Sequence, residues 1–552
     1  MKFIKNRKFD IWSSITLIVF LFYIITLVFP LFTLLIKSAI NGNSGKFSLE
    51  YFMKFFGKQY YYGAFFNSLK VTISVTLLCV IIATPLAYIM TSFKIKGKTA
   101  IQILILVSSM QPPFIGAYSW ILLLGRNGVI TNGLKQTFNI TAPNIYGFTG
   151  ILLVLTLQLV PLIYMYVSGA LKSIDNSLLE AAESMNCTGI KKMAKITIPL
   201  ILPTILAGSL LVFMRALADF GTPMLIGEGY KTVPVLIFNE FISEVGGDDG
   251  FAAAISVIVI IFATIVFLVQ KYISNKKSFT MNSLHPVRAK KIKGIKNILA
   301  HIYVYLFVLL ALLPQITVIY TSFLNTSGLI FTKGFSLNNY RSAFSRVGDA
   351  ISNTFIIALI SISIIVILAI LIAYVTVRRR NAITNLLDIV TMFPYIVPGS
   401  ILGIALLVCF NKKPIMLSGT IAILVIAFVI RRLPYTLRSS AAIVHQISIS
   451  VEEAAISLGA SNLKTFFKIT LPMMLPGVIS GAILSWITII SELSTSIILY
   501  TARTKTMTIA IYTEVIRGNY GVAASLGTML SVITIISLLI FFKVSGQSDV
   551  TI

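Results

Sequence analysis

Four acidic residues could do chemistry, and they form two pairs at matched places along the chain. Glu180 and Glu453 each begin a Glu-Ala-Ala triplet, whereas Asp219 and Glu492 lie inside long apolar runs. The interval from Glu180 to Glu453 equals the interval from Asp219 to Glu492. A carboxylate can bind cationic groups of a partner or a solute. The repetition therefore predicts two copies of a surface site and two copies of a site at membrane depth.

The deeper pair allows two interpretations. Asp219 and Glu492 each lie about 20 residues into an apolar run, and a charge inside a membrane needs a cavity or a partner. Thr222 and Thr495 follow one turn later, so two acids and two hydroxyls could line a translocation path that attracts a cation. The alternative is structural. Asp219 would then pair with Arg215, one turn earlier, and Glu492 would cap a helix or pair nearby.

No pattern indicates an enzyme or a metal site. The cysteines and histidines are scattered and have no ligand spacing: Cys79, Cys187, Cys409, His285, His301 and His445. The fragment Gly97-Lys98-Thr99 resembles part of a phosphate-binding loop, but Ser92 stands where that loop requires glycine. No nucleophile and base fall together in the apolar runs. We therefore predict no catalytic residue, no metal ligand and no cofactor in this chain.

Composition indicates an integral membrane protein. Of the 552 residues, 57% are hydrophobic and only 11% are charged, which is too apolar for a soluble surface. Apolar runs of 18 or more residues recur throughout the chain. The net charge of +27 comes from basic residues in short loops between these runs. That distribution is typical of cytoplasmic loops rather than of a nucleic-acid-binding protein.

The surface pair lies in two loops of identical spacing. The prolines that follow the glutamate, Pro199 and Pro203 in one loop and Pro472 and Pro476 in the other, stand at the same distances from it. The Glu-Ala-Ala triplet favours a helix, and the residue six positions after the glutamate, Asn186 or Gly459, tolerates a positive φ. The prolines suit the first turn of a returning membrane helix. We therefore predict a short helix, a bend, and a second short helix along the membrane surface.

These loops resemble the Glu-Ala-Ala loop of ABC-importer permeases, in which glycine follows the glutamate by six residues and a Leu-Pro pair comes later. The second loop matches throughout, and the first departs only at Asn186. The resemblance implies that each loop docks one ATP-binding subunit. It implies two such subunits per chain, each carrying ATP and Mg²⁺. The residues implied in docking are Glu180, Ala181, Ala182, Asn186, Glu453, Ala454, Ala455 and Gly459.

The pattern predicts an all-α polytopic membrane protein of about 12 spans in two halves. Residues 1–273 form the first half, with its loop at 173–203, and residues 297–552 form the second, with its loop at 446–476. The basic stretch 274–296 is a cytoplasmic linker, and both termini are cytoplasmic. The predicted spans are 11–36, 66–92, 99–124, 146–171, 200–226, 251–273, 297–323, 351–377, 382–410, 415–435, 472–500 and 522–543.

The halves repeat in residues as well as in hydropathy. Asn67-Ser68 corresponds to Asn353-Thr354, and Pro161 corresponds to Pro434. Because both halves begin on the same side of the membrane, a pseudo-twofold axis along the membrane normal is expected to relate them.

The string Ala-Asp-Phe-Gly-Thr-Pro at 218–223, the string Glu-Leu-Ser at 492–494 and the fused layout resemble ferric-iron permeases of the FbpB type. The resemblance implies a bacterial inner-membrane permease that receives ferric iron or an iron chelate from an extracytoplasmic binding protein. Thiamine, aminoethylphosphonate or a polyamine is the alternative solute. A secondary transporter driven by an ion gradient is a more distant alternative, since prolines at 112–113 and 394–398 could break helices around an ion site. Such a transporter would not need paired docking loops.

Overall fold

The structure, a computed structural model, describes residues 10–40, 45–111, 114–140, 143–242, 248–276, 289–327 and 330–545. The chain ends and most of the linker predicted at 274–296 lie outside these residues. The described part is almost wholly helical, so the all-α prediction is confirmed. One two-stranded antiparallel hairpin is the exception, with strands β1 (Leu324–Ser327) and β2 (Ile330–Phe335).

Fourteen α-helices precede the linker among the described residues. They are α1 Ile11–Tyr23, α2 Phe29–Ser38, α3 Glu50–Gly57, α4 Gln59–Ser92, α5 Lys98–Ser109, α6 Ile115–Leu124, α7 Val129–Phe138, α8 Phe148–Lys172, α9 Asn176–Ser184, α10 Gly189–Lys192, α11 Ile198–Leu217, α12 Gly221–Ile226, α13 Val233–Ile242 and α14 Asp249–Lys276. A π-helical turn, Ile24–Val28, joins α1 to α2, so the two form one long helix.

Eleven described α-helices follow the linker. They are α15 Ile295–Ser322, α16 Asn338–Arg378, α17 Ala382–Met392, α18 Gly399–Phe410, α19 Ile421–Gln446, α20 Ile449–Ser457, α21 Asn462–Thr465, α22 Leu471–Ile490, α23 Ser496–Leu499, α24 Met507–Ile516 and α25 Tyr520–Ser545. Short 3₁₀ turns lie at Phe393–Tyr395 and Ala502–Thr504.

The twelve predicted spans correspond to helices of several kinds. Nine helices in the described ranges are long and apolar enough to cross a membrane. The predicted ninth span is a pair, α17 and α18, bent by 111° at Pro394–Pro398. The third is broken between α5 and α6, and the tenth is the arginine-bearing helix α19, which begins at Ile421 rather than at 415. The count of twelve is therefore approximate.

The predicted fifth span of each half, 200–226 and 472–500, is too long. Helix α11 ends at Leu217 and α22 at Ile490, and each is followed by a separate short helix, α12 or α23. Polar residues stand at each break, at 218–223 and 491–496, but apolar residues resume beyond them, so each predicted span extends across the change of backbone direction.

The two halves repeat in the bounds of their helices. When the chain is aligned on itself at Glu180 and Glu453, α8 and α19 begin at equivalent positions. In the same alignment α9 and α20 begin at equivalent positions and end at equivalent positions, and the same is true of α11 and α22. In each half the second long helix packs against the helix that precedes the loop, α4 on α8 and α16 on α19. The internal repeat of the sequence is thus a repeat of structure.

The first long helix of each half packs on the other half. Helices α1 and α2 contact α16, α17 and α18, and α15 contacts α5, α6 and α8. Trp12 shows the arrangement in detail, with its ring centroid 4.5 Å from that of Tyr374 and 4.8 Å from that of Phe466. Because each half covers apolar surface of the other, the halves form one core.

One end of the bundle brings the basic segments together with both loops. Lys290, at the end of the linker, hydrogen-bonds through its backbone to Ser92 and Lys94. Its ammonium group lies 3.6 Å from the Glu183 carboxylate of the first loop. Arg379, which follows α16, pairs with Asp10 at 2.8 Å. The positive charge at this end is what the predicted cytoplasmic face requires.

The predicted bend is present in both loops. Asn186 has φ 59° and Gly459 has φ 87°. In the first loop Cys187 N donates to Ala182 O at 2.9 Å and Asn186 N donates to Glu183 O at 3.0 Å. The same two bonds recur in the second loop. These bonds form a Schellman motif, which ends a helix through one left-handed residue.

The second short helix of each loop is not separate, which corrects the prediction. Helix α10 continues through a π-helical turn, Met193–Thr197, into α11, and α21 continues through Phe466–Thr470 into α22. Pro199 and Pro472 follow these turns directly. A proline has no N–H and clashes with the carbonyl four residues earlier, and a wide turn accommodates it without ending the helix.

The left-handed bend predicts different outcomes for three substitutions. Open space surrounds Gly459, so only backbone strain opposes a side chain there. Gly459→Val should lower the stability of the purified chain by about 1–3 kcal/mol, because a β-branched residue rarely adopts this conformation. Gly459→Asn, which copies the first loop, should be tolerated much better, and Asn186→Gly should be nearly silent. Thermal unfolding midpoints test this, and equal midpoints for the valine and asparagine variants would contradict it.

Candidate functional site

The two loops present the same surface. Glu180 and Ala181 are exposed while Ala182 is buried against the bundle, and the same holds for Glu453, Ala454 and Ala455. The N-cap residues of the two helices are also equivalent. Asp175 Oδ1 accepts a hydrogen bond from Ser177 N at 2.9 Å, and Ser448 Oγ accepts one from Ser450 N at 3.4 Å. The third residue of the triplet therefore anchors each helix, and the first two face outward.

A large apolar side chain stands next to the bend in both loops. Met185 is 84% exposed, and its counterpart Leu458 is 89% exposed. Leu178 and Val451, a second matched pair, are also exposed. Apolar side chains beside an exposed carboxylate are typical of a protein interface rather than of a solvated loop. Sequence analysis missed these residues, although their identical spacing from the glutamate was a usable signal.

Different ion pairs attach the two loops to the bundle. In the first, Glu183 pairs with Lys192 at 2.5 Å, and the hydrogen bond and charge of Lys192 hold the pKa of this carboxyl below its usual value. In the second, buried Glu452 accepts from Arg378 Nε at 2.9 Å. Arg378 also donates to Ile447 O at 2.6 Å. The presented surface is thus duplicated, whereas its attachment is not.

Asp219 and Glu492 cap the helices that follow the broken fifth spans. Asp219 Oδ1 accepts from Thr222 N at 2.9 Å, and Glu492 Oε1 accepts from Thr495 N at 3.1 Å. A backbone N–H at the start of a helix has no internal partner, and these carboxylates supply one. Both acids therefore have a local structural task, at the same place in each half.

The two acids differ in how their charge is balanced. Glu492 is fully buried and forms ion pairs with Arg431 and Arg432, and Arg431 also donates to Thr495 Oγ1 at 2.7 Å. Asp219 forms no ion pair with any residue that the structure describes. For Glu492 the structure contains both parts of the structural alternative, a cap on the helix that follows and ion pairs with nearby arginines. For Asp219 it contains the cap alone.

Arg215 does not pair with Asp219, contrary to the structural alternative. It donates instead to Tyr435 Oη of α19, in the other half, at 3.1 Å. Tyr435 in turn lies against Tyr395, with ring centroids 5.3 Å apart. Together with Arg431 and Arg432, Arg215 makes this region more basic than the two acids alone suggested. The path role predicted for Asp219, Thr222, Glu492 and Thr495 stays a prediction.

The arginine pair of α19 is a second feature that sequence analysis missed. Arg431-Arg432 lies inside the predicted tenth span, 415–435. Adjacent charges in an otherwise apolar run are costly and need a partner, and that was the available signal. Their partner, Glu492, lies on a different span, so only the fold brings the charges together.

Comparison with known proteins agrees with this architecture. Residues 83–279 and 365–545 each match the family described as binding-protein-dependent transport system inner membrane component. The ferric transport system permease protein FbpB of Actinobacillus pleuropneumoniae is 28% identical over the whole of this chain and 80% of its own length. A putative ferric transport system permease protein, FbpB 1 of Haemophilus influenzae, is 27% identical over 92% of this chain and 80% of its own.

About half of the chain's length also matches another group of permeases. The putative 2-aminoethylphosphonate transport system permease protein PhnU of Salmonella paratyphi A is 24% identical over 49% of this chain and 93% of its own length. The two matched regions, the paired loops and the spanning helices all agree. The chain belongs to the family of binding-protein-dependent transport system inner membrane components, and it is a multi-pass permease subunit of an ABC importer with two fused halves, not an enzyme.

Proposed function

We propose that this permease forms the translocation path for ferric iron or a ferric chelate, delivered by an extracytoplasmic binding protein. The observation that supports the proposal is the likeness to ferric transport permeases, which runs through both fused halves. The likeness to the phosphonate permease spans about half of the chain.

A phosphonate is the second candidate solute. Arg215, Arg431 and Arg432 give the region around the broken spans three cationic groups, against the carboxylates of Asp219 and Glu492. Arginine suits phosphate-like oxygens, because its planar fork donates two parallel hydrogen bonds. The same cations would serve a ferric complex whose net charge is negative. This charge balance therefore favours a ferric chelate over the free ferric ion, and it is less compatible with cationic solutes such as thiamine or a polyamine.

We further propose that the two loops each dock one ATP-binding subunit at the cytoplasmic face. The exposed Glu180 and Glu453, each beside an exposed apolar side chain, support this assignment. The carboxylate would pair with polar or basic groups in a cleft of the subunit, and Met185 or Leu458 would fill an apolar part of that cleft. ATP and Mg²⁺ would then be held by the partner subunits.

Uptake measurements separate the two solutes. A host strain lacking the chain should lose most of its energy-dependent uptake of radiolabelled ferric iron, and the wild-type chain should restore it. Uptake of 2-aminoethylphosphonate in the same strain serves as the comparison. Unchanged iron uptake together with lost phosphonate uptake would replace the first candidate by the second.

The docking proposal predicts that Glu180→Ala and Glu453→Ala each weaken assembly with the ATP-binding subunit. Losing one desolvated charged contact costs about 2–5 kcal/mol, so the affinity should fall roughly 30-fold or more at each altered loop. The double variant should lose solute-stimulated ATP hydrolysis. Assembly can be measured by co-purification and by titration of the subunit onto the permease in nanodiscs.

Glu228→Ala is the matched control for this experiment. Glu228 is also an exposed acid, but its partner is Arg126, at 2.9 Å, outside both loops. Wild-type affinity is expected for this variant. Wild-type affinity and stimulated hydrolysis in the double loop variant would contradict docking through the two glutamates.

A further inference from the structure

A small, partly open cavity lies beside Asp219 in the first half. Its volume is about 20 Å³, which is room for at least one particle the size of a water molecule. Its polar lining comes from Ser108, Gln111, Gln158, Asp219 and Thr222, and Gly116 forms part of its wall. These residues belong to, or directly adjoin, the helices α5, α6, α8 and α12, so the cavity lies where the third and fifth spans break.

Two donors of this lining already donate to backbone carbonyl oxygens. Ser108 Oγ donates to Ile105 O at 2.7 Å, and Gln111 Nε2 donates to Ala311 O at 2.9 Å. Gln111 keeps its second N–H and its carbonyl oxygen, and that oxygen lies 3.3 Å from where a Cβ on Gly116 would be. Thr222 N donates to Asp219 itself. The cavity thus offers the Asp219 carboxylate and the carbonyl oxygens of Gln111 and Gln158 as acceptors, beside N–H groups of the same two glutamines.

The second half shows what occupies the equivalent place. The register that aligns Asp219 with Glu492 and Thr222 with Thr495 also aligns Gln158 with Arg431. The Arg431 guanidinium contacts both Glu492 and Thr495. It also packs on Gly399, at the start of α18, so closely that no side chain would fit there. A covalently attached cation therefore fills the second-half position.

We propose that the cavity beside Asp219 binds a small monovalent cation, which does in the first half what the Arg431 guanidinium does in the second. A carboxylate half-buried in an apolar bundle is stabilised by a compensating charge, and Asp219 has no basic partner among the residues that the structure describes. A volume of about 20 Å³ admits an ion of about the size of water, such as Na⁺, K⁺ or NH₄⁺. Oxygen ligands suit such ions.

The bound cation would connect the broken parts of the first half. Ser108 and Gln111 belong to the break in the third span, Gln158 to α8, and Asp219 and Thr222 to the break in the fifth. Arg431 makes the corresponding link from α19 to the ends of α18 and α22. The ion is thus a structural ligand, and its binding does not depend on which solute the permease carries.

Thermal unfolding of the full-length chain in lipid nanodiscs tests the proposal. The unfolding midpoint is measured in the chlorides of sodium, potassium and ammonium and in N-methylglucamine chloride, at one pH and one ionic strength. At least one small cation should raise the midpoint by several degrees, and the increase should saturate with concentration, because the ligand binds only the folded chain. N-methylglucamine is too large for the cavity. Equal midpoints in all four salts would overturn the proposal. That result is expected if a proton, rather than a cation, neutralises Asp219.

Three variants assign the effect to the cavity. Asp219→Asn should remove the dependence on small cations. Gln158→Arg, which copies the second half, should also remove it and should give a midpoint in N-methylglucamine near that of the saturated wild type. Arg431→Gln, the reverse change, should keep the dependence, because the cavity beside Asp219 is unaltered and Arg432 still pairs with Glu492. A Gln158→Arg chain that folds and still responds to small cations like the wild type would overturn the proposal even if Asp219→Asn cannot be purified.

Discussion

Helix breaks within the membrane bundle create unpaired backbone groups, and the structure depends on satisfying them. Apolar surroundings offer no water to a free N–H, so each break needs a partner from the protein itself. Asp219 and Glu492 supply that partner at the two broken fifth spans. The carboxylates that satisfy the backbone then introduce charges, and the charges need partners of their own. The arginines of α19 follow from this second requirement.

The two halves meet these requirements by different means. Their helices repeat at one constant interval through most of the region from α8 to α22, and the loops expose the same side chains. Away from the presented surface the halves diverge, with Lys192 and Lys290 holding one loop and Arg378 the other. A fused chain is free to diverge in this way, since each half has its own sequence. A homodimer of identical halves is not.

The exchange of first helices explains how two such halves act as one body. Because α1 and α2 pack on the second half and α15 packs on the first, neither half has a complete core without the other. A force applied at one loop would therefore reach helices of both halves. This arrangement suits a permease in which two ATP-binding subunits drive one path, as we propose.

The amino-acid sequence by itself determined the helical membrane class, the two halves, the repeated loops and the left-handed residue in each. These features are local or periodic: apolar runs, charge in short loops, and a glycine or asparagine at a fixed distance from a glutamate. They also carry the resemblance to the permease family. The strain of a positive φ arises within one residue, so Asn186 and Gly459 could be found without a fold.

Only the tertiary structure decided where the apolar runs break and which charges meet. Polar residues follow Leu217 and Ile490, but apolar residues resume a few positions later, so the predicted fifth spans ran through both breaks. The pairing of Arg431 with Glu492 joins distant segments, and Arg215, one turn before Asp219, binds Tyr435 of the other half instead. An ion pair depends on distance in space, which neither sequence interval nor residue type specifies.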